Sequence, residues 1–263
     1  MLGSGTALPT ATRGSPGHLL RMADGRAVLV DPGPGSVRAA ARMGCGLASL
    51  RAVLVTHFHV DHTLDLFALL FGLRNPTLSS CRLTVIGPRG IADLVERARG
   101  VYGDWIVLPP APSGSGAAAR LSFVELEPGP FVVELDHQRL EGVAVRMPHL
   151  GHSLGYRLRG NARTIAYSGD TGAGAVDGAA SGPVALGRGA DVYVLEAAFP
   201  EGSETSSHLT PGAAARIASA CGTKELVLTH FYPETERSDV RSIAREHYLG
   251  TLVLAHDGLR IPL

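Results

Sequence analysis

Short apolar runs, three or four residues long, recur along the chain at residues 27–30, 52–55, 83–86, 143–146, 164–167, 192–195, 226–228 and 251–254. Apolar side chains on consecutive positions over so short a span predict strands buried on both faces. Longer stretches between them carry helical spacing. Residues 37–43 are rich in Ala and Arg, 64–73 place Leu66, Phe67, Leu70 and Phe71 on one side, and 90–99 do the same with Ile91, Leu94, Val95 and Ala98. A fourth helix is expected at 211–220, with Thr210 as its N-cap and Pro211 at its first position. Strands alternating with helices predict a layered α/β fold. Asp257-Gly258, lying between the apolar stretches 252–254 and 259–261, predicts a closing hairpin. Residues 109–119 and 172–189 are rich in Gly, Ala, Ser and Pro and read as loops, not as domain boundaries.

Composition narrows the picture. With 263 residues, 45% hydrophobic, the chain can bury a large core and is too apolar to be disordered. Length alone permits one large domain or two small ones. Lys+Arg and Asp+Glu both number 24, so no net charge points to a polyanionic or membrane partner. Cys45, Cys81 and Cys221 are far apart and form no CxxC pair, which fits a reduced, cytoplasmic setting and inert core thiols. The opening MLGSGTALPT lacks a charged segment followed by an apolar one, so it does not read as a signal peptide. The longest apolar stretch, 64–73, is broken by Asp65 and Gly72 and is too short to span a bilayer.

The chemistry concentrates in Thr56-His57-Phe58-His59-Val60-Asp61-His62, directly after the strand predicted at 52–55. His57 and His59 are two apart, so in extended chain both rings point to one side. Asp61 and His62 follow as the chain turns and can reach the same cavity from another direction. Imidazoles and a carboxylate gathered this closely suit a borderline cation such as Zn²⁺ better than a run of surface histidines. Further ligand-type residues come one to three positions after other apolar runs: His149, Asp170 and His230. That is where α/β folds build ligand-binding loops. His152 competes with His149 for the third position. His18, His137, His247 and His256 have no such context and read as surface or loop histidines.

HxHxDH, a later His, Gly169-Asp170-Thr171 and Thr229-His230 resemble the metallo-β-lactamase-fold hydrolases over nearly the whole chain. Leu2-Gly3-Ser4-Gly5-Thr6, Leu29-Val30-Asp31-Pro32-Gly33 and Gly155-Tyr156-Arg157 narrow the likeness to the ribonuclease Z-like and phosphodiesterase branch. The resemblance implies an α/β, four-layer αββα sandwich, with 1–263 as a single domain. It implies two divalent metal ions, Zn²⁺ by default, with Mn²⁺ or Fe²⁺ compatible with the ligands. His57, His59 and His149 would hold the first ion, Asp61, His62 and His230 the second, and Asp170 would bridge them. A bridging hydroxide would be the nucleophile, with Asp61 orienting it or taking its proton. The pattern places a histidine six residues before Gly155, at His149, leaving His152 to line the cleft. His208, steadied by Glu196, would contact the phosphate or protonate the leaving oxygen. A plain alternative for Glu196 is a buried strand-end carboxylate satisfied by backbone donors, and for His208 a neighbour of the helix cap. Asp31 would support the metal loop by accepting from a ligating imidazole. Gly3 and Gly5 read as a tight turn beside the cleft, and the first strand is expected to be short.

Substrate choice rests on other features. Transfer-RNA 3′-processing enzymes of this branch carry an exosite arm between the third His and the bridging Asp. Here that interval is 21 residues, read as one strand and a turn. Together with zero net charge, this points away from a large structured RNA and toward a small or cyclic phosphodiester. Arg157, Arg159 and Arg163 in the interval read as a solvated face. Hydrolysis of a lactone, thioester or carboxylic ester is the alternative, and a non-catalytic metal carrier a further one. Homodimers are common among such proteins.

Overall fold

The computed structural model describes residues 1–111, 119–136, 138–160, 162–174 and 182–263. Strands β1 (His18–Arg21), β2 (Ala27–Val30), β3 (Leu50–Leu54), β4 (Leu83–Pro88) and β5 (Leu121–Leu126) form one sheet in that order. β1 and β2 are antiparallel, and the remaining pairs are parallel. The crossovers carry α1 (Ser36–Arg42), α2 (Val60–Gly72) and α3 (Ile91–Tyr102). The second sheet comprises β6 (Gly129–Leu135), β7 (Gln138–Arg146), β8 (Leu154–Arg159), β9 (Thr164–Tyr167), β10 (Val192–Glu196), β11 (Glu225–Thr229) and β12 (Thr251–Leu254). Its spatial order is the reverse of its chain order, antiparallel from β6 to β9 and parallel from β9 to β12. The parallel half is connected through α4 (Gly182–Gly187), α5 (Pro211–Cys221), α6 (Pro233–Glu236) and α7 (Val240–Arg245).

Three apolar layers explain the consecutive apolar runs. Val28 and Val30 of β2 point between the sheets toward Ala144, Tyr156, Val194 and Val227. Ala27 and Leu29 point the other way, onto Leu66, Leu69 and Leu70 of α2. In β10, Val192 and Val194 face the first sheet, while Tyr193 and Leu195 face Ala214 and Ile217 of α5. A strand alternates its side chains between faces, so a run apolar at every position is covered on both. The result is helices, sheet, sheet, helices: the expected αββα sandwich.

Several expectations need correction. Helix α2 begins at Val60, four residues earlier than its apolar spacing indicated, because its first turn consists of the polar residues Asp61, His62 and Thr63. The closing hairpin does not form: β12 pairs in parallel with β11, and after Leu254 the chain leaves the sheet. Leu259, Ile261 and Leu263 instead pack against the layer between the sheets. The glycine-rich opening makes a single bridge, Gly3 to Gly17, and the first full strand is β1. His18 at its start is buried, only 9% exposed, with its ring edge-on to Tyr167. Of the cysteines only Cys45 is buried; Cys81 and Cys221 are half-buried. The interval from His149 to Asp170 holds two strands, β8 and β9. Arg157 caps the end of α4 through the carbonyl of Arg188, and Arg163 pairs with Glu225 at 2.6 Å, so only Arg159 of that trio is an exposed, solvated cation. The loop expected at 172–189 contains α4, while residues 175–181, 112–118 and His137 lie outside the described residues. Among the described residues, no helix is long and apolar enough to cross a membrane.

Candidate metal centre

The ligand-type residues collect at one end of the sandwich, just beyond β3, β7, β9 and β11. His57 comes three residues after the end of β3, and His59 then takes extended backbone as the N-cap of α2. That single change of direction swings Asp61 and His62, in the first helical turn, toward the same space. A carboxylate in the first turn also lies at the positive end of the helix dipole. Gly33 makes room for the turn: a Cβ there would sit 2.0 Å from the carbonyl oxygen of Asp61. Asp170 arrives from β9 through Gly169, whose φ of 58° and contact with Thr56 favour a residue without a Cβ. His230 itself holds φ at 61°, and its N–H donates to the Ser4 carbonyl at 3.0 Å. The backbone at Ser4 therefore braces the metal end, although Gly3 and Gly5 lie in a bridge and a bend and not in the tight turn expected of them.

Asp170 divides two groups of side chains. Its Oδ1 lies 3.1 Å from His62 Nε2 and 3.3 Å from His230 Nε2, and both of these nitrogens are 3.7 Å from Asp61 Oδ2. Its Oδ2 faces the other way, 3.7 Å from His57 Nε2 and 3.9 Å from His149 Nε2. His149 Nε2 is 3.2 Å from His59 Nδ1. His57, His59, His149 and Asp170 thus form one group, and Asp61, His62 and His230 another, each with ligand atoms within 4.8 Å of one another.

Hydrogen bonds behind the rings fix which nitrogen is free. His149 Nδ1 donates to the Ser207 carbonyl at 2.9 Å, leaving Nε2 a lone pair. His62 Nδ1 donates to Asp31 Oδ2 at 2.8 Å, which frees its Nε2 likewise. His57 Nδ1 is 3.0 Å from Thr56 Oγ1, and that hydroxyl donates onward to Asp31 Oδ2 at 2.8 Å. Such orientation by carboxylate or carbonyl partners is usual behind metal-bound imidazoles.

The inward atoms are left without partners. His57 Nε2, His62 Nε2, Asp170 Oδ1 and both ring nitrogens of His230 are buried and make no hydrogen bond. Buried polar atoms are rarely orphaned in this way, and each would cost stability unless something else satisfied it. Two imidazole nitrogens facing each other at 3.2 Å are likewise unsettled as neutral acceptors. Nitrogens bound tetrahedrally at about 2.0–2.1 Å from one ion lie roughly 3.3 Å apart. The donor set therefore fits divalent metal.

Electrostatics agree. Burial pulls His57 well below its ordinary value, and the neighbouring His62 adds to this. Burial opposes charge on His62 too, but Asp170 and Asp31 overcome it and hold that imidazole well above the usual range. Asp170 is held well below the carboxylate range: burial opposes ionisation, and His230 and His62 outweigh it. In the metal-free chain a proton on His62 does in part what a cation would do.

His208 stands beside this cluster. Its ring stacks parallel to that of His230, centroids 6.0 Å apart, and meets the His149 ring edge-on at 4.9 Å. Its Nδ1 lies 3.0 Å from Glu196 Oε1. Glu196 is 1% exposed and accepts from the backbone N–H groups of Thr171, Ala198 and Leu209 as well. Burial works against protonation of His208, and Glu196 reverses this, so its pKa is raised. The two readings of Glu196 thus coexist in one side chain. His208 also precedes the helix cap, where Thr210 accepts from Ala213 N–H at 3.3 Å.

All seven ligand candidates and His208 converge, and Glu196 stands one step behind. His152 does not join: it stacks on Phe58, centroids 4.3 Å apart. Asp31 takes the supporting place expected of it. Two supporters went unread, Thr56 and Tyr167, whose hydroxyl donates to Asp31 Oδ2 at 2.8 Å. The available sign was a polar-tipped residue at the end of each buried strand; Tyr167 was absorbed into an apolar run.

Similarity to known proteins follows the same lines. Residues 26–231 match the family model described as the beta-lactamase superfamily domain. A ribonuclease Z from Streptomyces avermitilis is 31% identical over 300 positions, spanning 100% of this chain and 96% of the relative. Among solved structures, the metallo-beta-lactamase fold protein YhfI from Bacillus subtilis superposes with a TM-score of 0.77 at 19% identity, covering 98% of this chain and 95% of that one. The short form of human tRNase Z superposes with a TM-score of 0.70 at 26% identity, covering 100% and 98%. With this fold, this His/Asp cluster and these relatives, the chain belongs to the beta-lactamase superfamily, on its ribonuclease Z-like side, and is a metal-dependent hydrolase.

Proposed function

We propose that this chain, residues 1–263 acting as one domain, is a dinuclear phosphodiesterase of small or cyclic phosphodiesters. The observation that carries the reading is His208, half-buried, held by the buried Glu196 and stacked beside His230. An alkoxide leaving a phosphodiester at neutral pH needs a proton, and His208 is placed to give it, whereas the thiolate leaving a thioester does not. Two divalent ions, zinc the first choice, would be held by His57, His59 and His149 and by Asp61, His62 and His230, with Asp170 between. Bound there, they would supply an acidified water and polarise the phosphoryl oxygens. Asp61, half-buried at the mouth, orients the attacking water through its carboxylate and accepts its proton. His208, its pKa raised by Glu196, donates a proton to the leaving oxygen.

The relatives' names make RNA the competing substrate, and this is a real counterweight to the expectation of a small one. Two observations favour the small substrate. The stretch from His149 to Asp170 is occupied by β8 and β9 and the connection between them. The alignment with the Streptomyces ribonuclease Z runs over 300 positions against 263 residues here, so that relative carries stretches absent from this chain.

A side-by-side assay decides: bis(4-nitrophenyl) phosphate and a 2′,3′-cyclic nucleotide, a precursor transfer RNA, and an aryl lactone with a thioester. The proposal expects turnover of the first pair above the others. Efficient cleavage of the precursor RNA alone would transfer the assignment to RNA processing. Activity confined to the lactone and thioester would remove the phosphodiesterase reading.

A further inference from the structure

Among the described residues, Phe199 and Tyr232 are the only half-buried Phe, Tyr or Trp side chains that pack against none of the three apolar layers. They stand beside the metal centre instead. Phe199 comes three residues after Glu196, at the exit of β10, and Tyr232 two after His230, at the exit of β11. Each is followed by a proline, which restricts the residue before it to extended backbone, and Tyr232 has φ −69° and ψ 156°. Backbone hydrogen bonds tie both down: Phe199 N–H donates to the Leu209 carbonyl at 3.1 Å, and Tyr232 N–H to the Ala198 carbonyl at 3.2 Å.

The two rings are parallel within 5°, with centroids 5.1 Å apart. Parallel rings in contact are separated by about 3.5–4.0 Å, so these two are slid past one another and neither covers the other's face completely. Phe199 meets the His208 ring edge-on at 5.4 Å, and Tyr232 meets the His230 ring edge-on at 6.4 Å. His208 and His230 are themselves parallel. Two imidazoles and two aryl rings therefore form the sides of a right-angled corner. The imidazole side belongs to the site already described, and the aryl side has no part in holding metal or moving a proton. It is rigid and uncharged. Such a surface suits a flat, neutral ring, and every nucleobase presents one.

We infer that Phe199 and Tyr232 form a shelf for the nucleobase of the leaving alcohol. This rests on the phosphodiesterase reading, in which His208 protonates the leaving oxygen: the departing alcohol then lies next to His208 and so beside Phe199. The water oxygen bonds to phosphorus and gives a proton to Asp61. The P–O bond to the nucleoside breaks, and the proton from His208 goes to the nucleoside oxygen. The products are a nucleoside and the phosphomonoester of the other alcohol. The shelf thus decides which of two ester bonds is cut, and the substrate is a small diester with a nucleoside on its leaving side.

Adenosine 5′-ethyl phosphate is the probe, because both of its alcohols are primary and the products count the two orientations. The metal-loaded full chain should give adenosine and ethyl phosphate over adenosine 5′-phosphate and ethanol by about tenfold. Phe199→Leu should bring that ratio close to one, and Phe199→Trp should preserve it. Loss of folded or metal-loaded protein lowers the total rate but leaves the ratio unmoved, so a merely structural role is told apart. Tyr232→Leu takes the place of Phe199→Leu if the latter does not fold. Saturation-transfer NMR reads the shelf without turnover: adenosine should receive transfer at its purine H2 and H8 protons, ribose none, and Phe199→Leu should remove the adenosine signal. If the diester is not cut but this binding holds, the phosphodiesterase reading falls and the nucleobase shelf stands. A ratio of one in the unaltered chain, a ratio that Phe199→Leu leaves unmoved, or absence of purine transfer would each overturn the assignment. Binding of hexaadenylate without adenosine would overturn it too, by moving the shelf to RNA.

Discussion

Asp31 Oδ2 lies 2.8 Å from His62 Nδ1, on the side of the imidazole away from Asp170. The same carboxylate accepts from Thr56 N–H, Thr56 Oγ1 and Tyr167 Oη, each at 2.8 Å, so four donors meet on one fully buried side chain. It links β2, β3, α2 and β9, and sets the direction of His62 directly and of His57 through Thr56. Asp31→Asn should therefore keep the fold, since Asn accepts the φ of 47° found here, and weaken zinc binding by about 10- to 100-fold. Competition with a chromophoric chelator measures it; unchanged affinity would reduce Asp31 to a packing role.

Asp170→Ala removes the carboxylate that faces both groups. Metal content by plasma emission spectrometry should fall at both positions together, with activity. Full occupancy in the variant would show that the two groups do not share Asp170.

His208→Ala should retain metal and lower kcat by about 10²- to 10⁴-fold, the usual worth of a lost general acid. The loss should shrink for a substrate whose leaving group needs no proton, such as a 4-nitrophenolate. Glu196→Gln should act through His208, by shifting the alkaline limb of the pH–rate profile downward, because Glu196 is what raises the His208 pKa. An unmoved profile would leave Glu196 with its backbone partners alone.

Zinc should stabilise the protein more as pH rises. In the metal-free chain the His62 pKa lies above its unfolded value, against burial and because of Asp170 and Asp31. Its stabilising contribution is therefore complete below the unfolded value of about 6.5 and lost as pH climbs through the folded one. A bound metal requires the neutral imidazole, so uptake releases that proton. Between pH 6 and 8 the metal-free Tm should fall relative to the loaded form, and calorimetry should record proton release on binding. A pH-independent difference would contradict this account of His62.

The layers and the ligands were legible for one reason: both leave period-bound marks. Strands β2, β3, β10 and β11 are covered on two faces and so appear as unbroken apolar runs. His57, His59, Asp61 and His62 stand together because one strand end and one helix start supply them. Strands β5 and β6 and the first half of β7 were harder, since exposed positions interrupt their apolar pattern. The failed hairpin has a tertiary cause. Asp257-Gly258 does form a turn, but Asp257 is engaged with Ser4 and Gly14, which pulls the following chain across the sheet edge instead of back along β12. Tyr167 looked apolar because seven-eighths of its side chain is; only its hydroxyl belongs to the site.

The order of the ligands along the chain also sets the order in which each group becomes available during synthesis. As the polypeptide is synthesised, His57, His59, His149 and Asp170 are all available before α5 and β11 exist. The group containing Asp61 and His62 waits for His230, which follows β11, the strand that pairs with β10 before β12 is made. A growing chain can thus gather the first group while its last strands are unmade, and the second closes only when β11 docks. Completion of the second group therefore reports that β11 has found its place beside β10.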